Sequence, residues 1–73
     1  MKKLKFVICV KNEGFEASLE LRKVYDLLSD AEAEHHGMLR VIDESGEDYL
    51  YPSTCFIDAH LPKDVQAAIV KAA

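Results

Sequence analysis

The run Met38 to Asp43, then Glu44-Ser45-Gly46-Glu47, then Asp48 to Tyr51 constrains this chain more than any other stretch. Two apolar-rich segments flank a Ser-Gly reversal, which is the pattern of a β-hairpin with a short loop. In the first segment Leu39 and Val41 fall on one side and Met38, Arg40 and Ile42 on the other, because successive strand side chains alternate. Pro52 is placed to break the second segment. A ribbon of this kind draws the whole chain toward a closed, mostly strand-built core.

Length sharpens the point. The 73 residues leave room for one domain, 1–73. A domain this small buries only about 60% of the surface its unfolded chain exposes. An apolar fraction of 49%, with three glycines and two prolines, is nonetheless a globular composition. A homodimer sharing an edge strand or an apolar patch would relieve the small core, so monomer and homodimer both stand open.

Two further strands and two helical pieces can be read locally. Leu4 to Lys11 alternates as a strand, with Phe6, Ile8 and Val10 on the strongly apolar face. Asn12-Glu13-Gly14 is turn chemistry. Ser18 to Leu28 is ambiguous. Leu21, Val24, Tyr25 and Leu28 fall at helical spacing, yet the same residues allow a turn at Arg22-Lys23 and a strand from Val24 to Leu28. Asp30 to His36 predicts one or two helical turns, capped by Ser29 or Asp30 and stopped at Gly37. Phe56 and Ile57 begin a last strand. Pro62 then opens a helix in which Val65, Ala68, Ile69 and Ala72 form one apolar stripe, expected to pack on the strands.

Charge and cysteine usage exclude several classes of work. The net charge is −4, and Lys2, Lys3, Lys5 and Lys11 concentrate positive charge in the first dozen residues. The rest carries five Lys/Arg against thirteen Asp/Glu, a balance of −8 that repels phosphates, so nucleic acid is not the expected partner. No apolar run is long enough for a membrane span, and no secretory leader is read at the start. Cys9 and Cys55 read as buried small hydrophobes in a reducing cytoplasm.

Val41 to Pro52 followed by Phe56, with Val7-Cys9-Val10-Lys11-Asn12 and Leu21-Arg22-Lys23-Val24-Tyr25 upstream, resembles a family of short uncharacterised bacterial proteins. The likeness covers about residues 5 to 70. It implies a mainly β fold: a small SH3-like barrel of about five antiparallel strands with a short helical turn and a C-terminal helix. It also implies the turn-then-strand reading of Leu21 to Tyr25. The family carries no activity from which site residues could be transferred. The chain has no tryptophan and lacks the Ala-Leu-Tyr-Asp-Tyr motif of peptide-binding SH3 domains, which argues against an aromatic groove for proline-rich ligands.

The candidate partner-binding residues are Phe15, Tyr25, Tyr49 and Tyr51, with Asp43, Glu44, Glu47 and Asp48 around the hairpin tip. Tyr49 and Tyr51 project from one face, and tyrosine is enriched at interface hot spots; the plainer reading puts at least one ring in the core with its hydroxyl satisfied at the rim. The four acids could dock a basic partner or weakly hold a calcium ion, but the defined ligand spacing of a calcium loop is missing. Their plainer role is a solvated turn that discourages edge-to-edge association. His35, His36 and His60 with Cys9 and Cys55 lack the paired short spacings of a zinc site. Cys55 and His60 lack a third, orienting group for nucleophilic catalysis. No phosphate loop or nucleophile elbow occurs. The expectation is a non-catalytic protein-interaction module without cofactor or metal. The alternatives are a nucleic-acid-associated accessory factor and a small metal-binding protein or enzyme.

Overall fold

The computed structural model describes residues 5–72. Leu4, read as the start of the first strand, and Lys2 and Lys3 of the basic segment lie outside them. Five strands form one antiparallel sheet: β1 Lys5–Cys9, β2 Val24–Leu28, β3 Met38–Ile42, β4 Asp48–Pro52 and β5 Phe56–Asp58. Helix α1, Ala31–His35, joins β2 to β3; a 3-10 turn, Ser53–Cys55, joins β4 to β5; and α2, Lys63–Ala72, follows β5. The strand order is β4-β3-β2-β1-β5, and the sheet is open. It is mainly β with five antiparallel strands and a C-terminal helix, as the sequence predicts. The sheet curls enough for the Tyr51 and Phe56 rings, from its two edge strands, to stand 6.2 Å apart.

The inner face holds the core: Val7, Cys9, Leu19, Tyr25, Val41, Tyr51, Cys55 and Phe56, with Phe15, Leu27 and Leu39 packed against it. Leu19 comes from the long β1–β2 connection and is fully buried, while Leu21, two residues on, is 53% exposed. That contrast settles the ambiguous segment. The chain makes a turn, with Arg22 at φ 68, and enters β2 at Val24; there is no helix. Asn12 fixes the connection by donating from Nδ2 to the Leu19 carbonyl at 2.9 Å.

Local rules govern α1. Asp30 is the N-cap, its Oδ1 accepting from the Ala33 N–H at 3.0 Å, and Gly37 ends the helix at φ 74, where a side chain would be strained. The other carboxylate oxygen of Asp30 accepts from Arg40 Nε at 2.8 Å, and Arg40 also reaches Asp48 at 3.0 Å. One guanidinium thus ties the helix start to β3 and β4.

Two details differ from expectation. Pro52 is the last residue of β4 rather than the break before its end. The bonds Asp43 N–H to Glu47 O and Ser53 N–H to Gly37 O set the alternation, so Tyr49 and Tyr51 bond toward β3 and the backbone of position 52 faces the open edge. A missing N–H is harmless there. Second, α2 packs only loosely: none of its residues is fully buried, and Gln66 and Ile69 are half-buried. The inner face is already filled by the aromatic core.

Leu19→Ala should lower the unfolding free energy by about 2–5 kcal/mol in urea titrations. The same change at exposed Leu21 should stay within about 0.5 kcal/mol. Equal effects would contradict the turn.

Candidate functional site

The residues singled out in the sequence divide between interior and surface. Tyr25, Tyr51 and Asp43 are buried, at 5%, 5% and 7% exposure. They cannot present themselves to a partner. Phe15 is half-buried, its ring edge-on to Tyr51 at 5.1 Å. Glu44, Glu47 and Asp48 are exposed as residues, and Tyr49 is 49% exposed. Period-2 alternation does put Tyr49 and Tyr51 on one face, opposite Val41 and Leu39 respectively. The Phe15–Leu19 segment covers that face only at the Tyr51 end.

The acidic cluster is a brace. Asp43 Oδ2 accepts from the Tyr51 hydroxyl at 2.5 Å, and its Oδ1 accepts from the Ser45 N–H at 2.9 Å and the Ser45 hydroxyl at 2.5 Å. Burial pushes the Asp43 carboxyl upward, but these donors outweigh it and hold the group below its ordinary value. Tyr51 is pushed up, first by burial and then by the Asp43 carboxylate. Glu44 Oε2 receives Lys23 Nζ at 2.6 Å and the Tyr25 hydroxyl at 2.6 Å, and these two contacts hold its carboxyl down. The Tyr25 oxygen in turn accepts from the Glu20 N–H at 2.7 Å, so the hairpin tip is laced to the β1–β2 connection. Burial, and then Glu44, raise the Tyr25 hydroxyl far above its usual range. Asp48 is taken by Arg40. Of the four acids only Glu47 has no side-chain partner among the described residues.

As site residues, Lys23, Ser45, Arg40 and Leu50 were not singled out in the sequence. The signal for Arg40 and Leu50 was available: once Ile42 faces Asp48, the register sets Arg40 opposite Leu50 on the outer face. Leu50 is 43% exposed there and closes a shallow groove of about 290 Å³ with Asp30, Glu32, His36, Met38 and Arg40. Lys23 and Ser45 depend on where two loops meet, which no local pattern encodes.

The metal and nucleophile candidates are dispersed. Cys9 and Cys55 are free and buried, and burial raises the Cys55 thiol. The His60 side chain is 87% exposed, beside Asp58 at 3.8 Å, and His35 and His36 lie edge-on to each other at the end of α1. Among the described residues, no three His, Cys, Asp or Glu side chains are grouped to hold a metal ion, and no helix is long and apolar enough to cross a membrane. Comparison with protein-family models, curated proteins and solved structures returned no match.

Tyr51→Phe leaves the buried Asp43 carboxylate short of one donor and should cost about 1–3 kcal/mol in chemical denaturation. The pH profile carries a second expectation. Asp43 titrates below the ordinary aspartate range in the fold, so the unfolded chain takes up its proton first. The contribution of Asp43 is present above that range and disappears as pH falls through the depressed value. In Tyr51→Phe the acid limb should begin at a higher pH. A limb unmoved by the substitution would remove Asp43 from this role.

Proposed function

We propose that this chain is a non-catalytic, SH3-like interaction module that receives an extended segment of a partner protein along the free edge of β4. The observation that carries the reading is Tyr49 and Leu50, two large side chains about half exposed on a strand that, among the described residues, pairs only with β3. They stand on opposite faces of that edge. A peptide added as a further strand would lie between them, its backbone meeting the outward groups of Asp48 and Leu50 while the two side chains clasp it. The antiparallel strand order, and the curl that brings Tyr51 toward Phe56, support the SH3-like part of the reading. Two free, buried thiols support a reducing cytoplasm.

The brace narrows the chemistry of the partner. With Asp43, Glu44 and Asp48 already hydrogen-bonded within the fold, the acidic tip steers and does not clamp. Affinity must come from the two apolar side chains and the strand edge, with Glu47 and Glu32 at the groove rim favouring a segment that also carries Lys or Arg. A polyphosphate backbone meets the same rim with repulsion.

An affinity capture using wild type beside Tyr49→Ala/Leu50→Ala tests this. Truncating a hot-spot pair should cost about 2 kcal/mol, roughly 30-fold in Kd, with the far-ultraviolet circular dichroism unchanged because both side chains are exposed. Partners retained equally by the double variant would refute the β4 site.

A further inference from the structure

We propose that α2 docks on the outer sheet face of a second copy of this chain, and that the contact is reciprocal about a two-fold axis. This goes beyond the partner site on β4 and does not depend on it.

The sheet has a second apolar face. Val7 and Cys9 point into the core, so Ile8 and Val10 project from the other side. Register aligns Ile57, Ile8 and Val24 in one row across β5, β1 and β2. Ile57 is 53% and Val10 48% exposed; Ile8 and Val24 are half-buried. Four β-branched side chains thus make a patch on the outer face, and among the described residues Ile57 and Val10 stand about half exposed. The neighbouring outer residue, Phe6, is covered: it is 4% exposed and shares a cleft of about 470 Å³ with Ala59, Leu61 and Gln66.

The helix is the matching half. Its stripe, Val65, Ala68, Ile69 and Ala72, has no buried member. Its entry is built rather than slack. The Ala59 N–H donates to the Phe6 carbonyl at 3.1 Å, Gln66 Nε2 donates to the Leu61 carbonyl at 2.7 Å, and Pro62 fixes the backbone between them. This elbow anchors the start of α2 at the β5 edge yet leaves Val65 40% exposed and Ile69 only half-buried. The open end of the apolar row, Ile57, lies on that same edge strand. A two-fold axis beside β5 would carry each helix across the other copy's row.

Charge and area agree with a second copy as the occupant. Lys63 and Lys71 on α2, and Asp26 between Phe6 and Ile42 on the outer face, have no ion-pair partner among the described residues. The helix, with two lysines and one aspartate, is net positive and the sheet face presents a carboxylate. A ten-residue helix is about 15 Å long and, laid on a sheet, removes on the order of 500 Å² from the two surfaces together. One such contact falls short of the roughly 1,000 Å² at which specific interfaces begin, and two reach it. That is why the association is reciprocal rather than head-to-tail.

Sedimentation equilibrium on the full chain decides the matter. The wild type should sediment at twice the 8.2 kDa of one chain. Ile69→Asp on the helix and Ile57→Asp on the sheet should each weaken the dimer by at least about ten-fold in Kd, or about 1.4 kcal/mol. Ile69 is half-buried and lies outside the core cluster, so Ile69→Asp should leave the sheet folded, and unchanged circular dichroism would confirm this. A wild type that stays at 8.2 kDa up to about 1 mM (about −4 kcal/mol), as it would if α2 closed on its own sheet, overturns the proposal. So does a dimer that survives either substitution.

Discussion

The carboxylate of Asp43 is the fixed point of this fold. It is the one charged side chain buried among the described residues, and it accepts three hydrogen bonds. A buried charge without donors costs several kcal/mol, so Ser45 and Tyr51 must stay where they are. That requirement sets the hairpin loop, through the Ser45 N–H and hydroxyl, and sets the depth of β4, through the Tyr51 ring. Tyr51 then meets Phe15 on one side and Phe56 on the other, which carries the constraint to the β1–β2 connection and to β5. The neighbouring Glu44 repeats the device near the surface with Lys23 and Tyr25. Two tyrosine–carboxylate pairs thus tie the hairpin tip to β4 and to β2.

Much of this frame can be read from the chain. The Ser-Gly reversal between alternating runs places β3 and β4, and the Asp30 cap with the Gly37 stop bounds α1, because both features rest on backbone chemistry a few residues long. The stretch from Ser18 to Leu28 cannot be read this way. Leu21, Val24, Tyr25 and Leu28 recur at helical spacing by coincidence, since Leu21 is exposed and Tyr25 buried. The turn is made by Arg22 at positive φ, a conformation that arginine does not advertise. Burial of Leu19 in the common core outweighs the local period.

The acidic tip shows the same limit at the level of function. Four acids in six residues read as a solvated or docking patch, and local sequence offers no reason to assign them partners. Their partners come from elsewhere: Arg40 from the preceding strand, Lys23 and Tyr25 from the entry to β2. Tyr49 and Tyr51 likewise share a face by alternation and still part ways, because one end of that face is roofed by Phe15 and the other is not. Whether a side chain serves the interior or the surface is decided by what crosses over it, and that is tertiary information.

Size explains how the rest of the molecule is arranged. Phe15, Tyr25, Tyr51 and Phe56 are committed to the inner face, and on the other Phe6 is buried, so the aliphatic Ile8, Val10, Val24 and Ile57 make up the patch there. An aliphatic β-branched face is rigid and shallow, suited to a helix bearing Val, Ala and Ile, whereas the edge beside Tyr49 offers one ring, one leucine and unpaired backbone, suited to a strand. The two surfaces differ in kind, and β4 and β5 stand at opposite ends of the strand order. A second copy seated on β5, β1 and β2 would leave the β4 edge open, so self-association and capture of an extended segment can proceed on the same domain without competing.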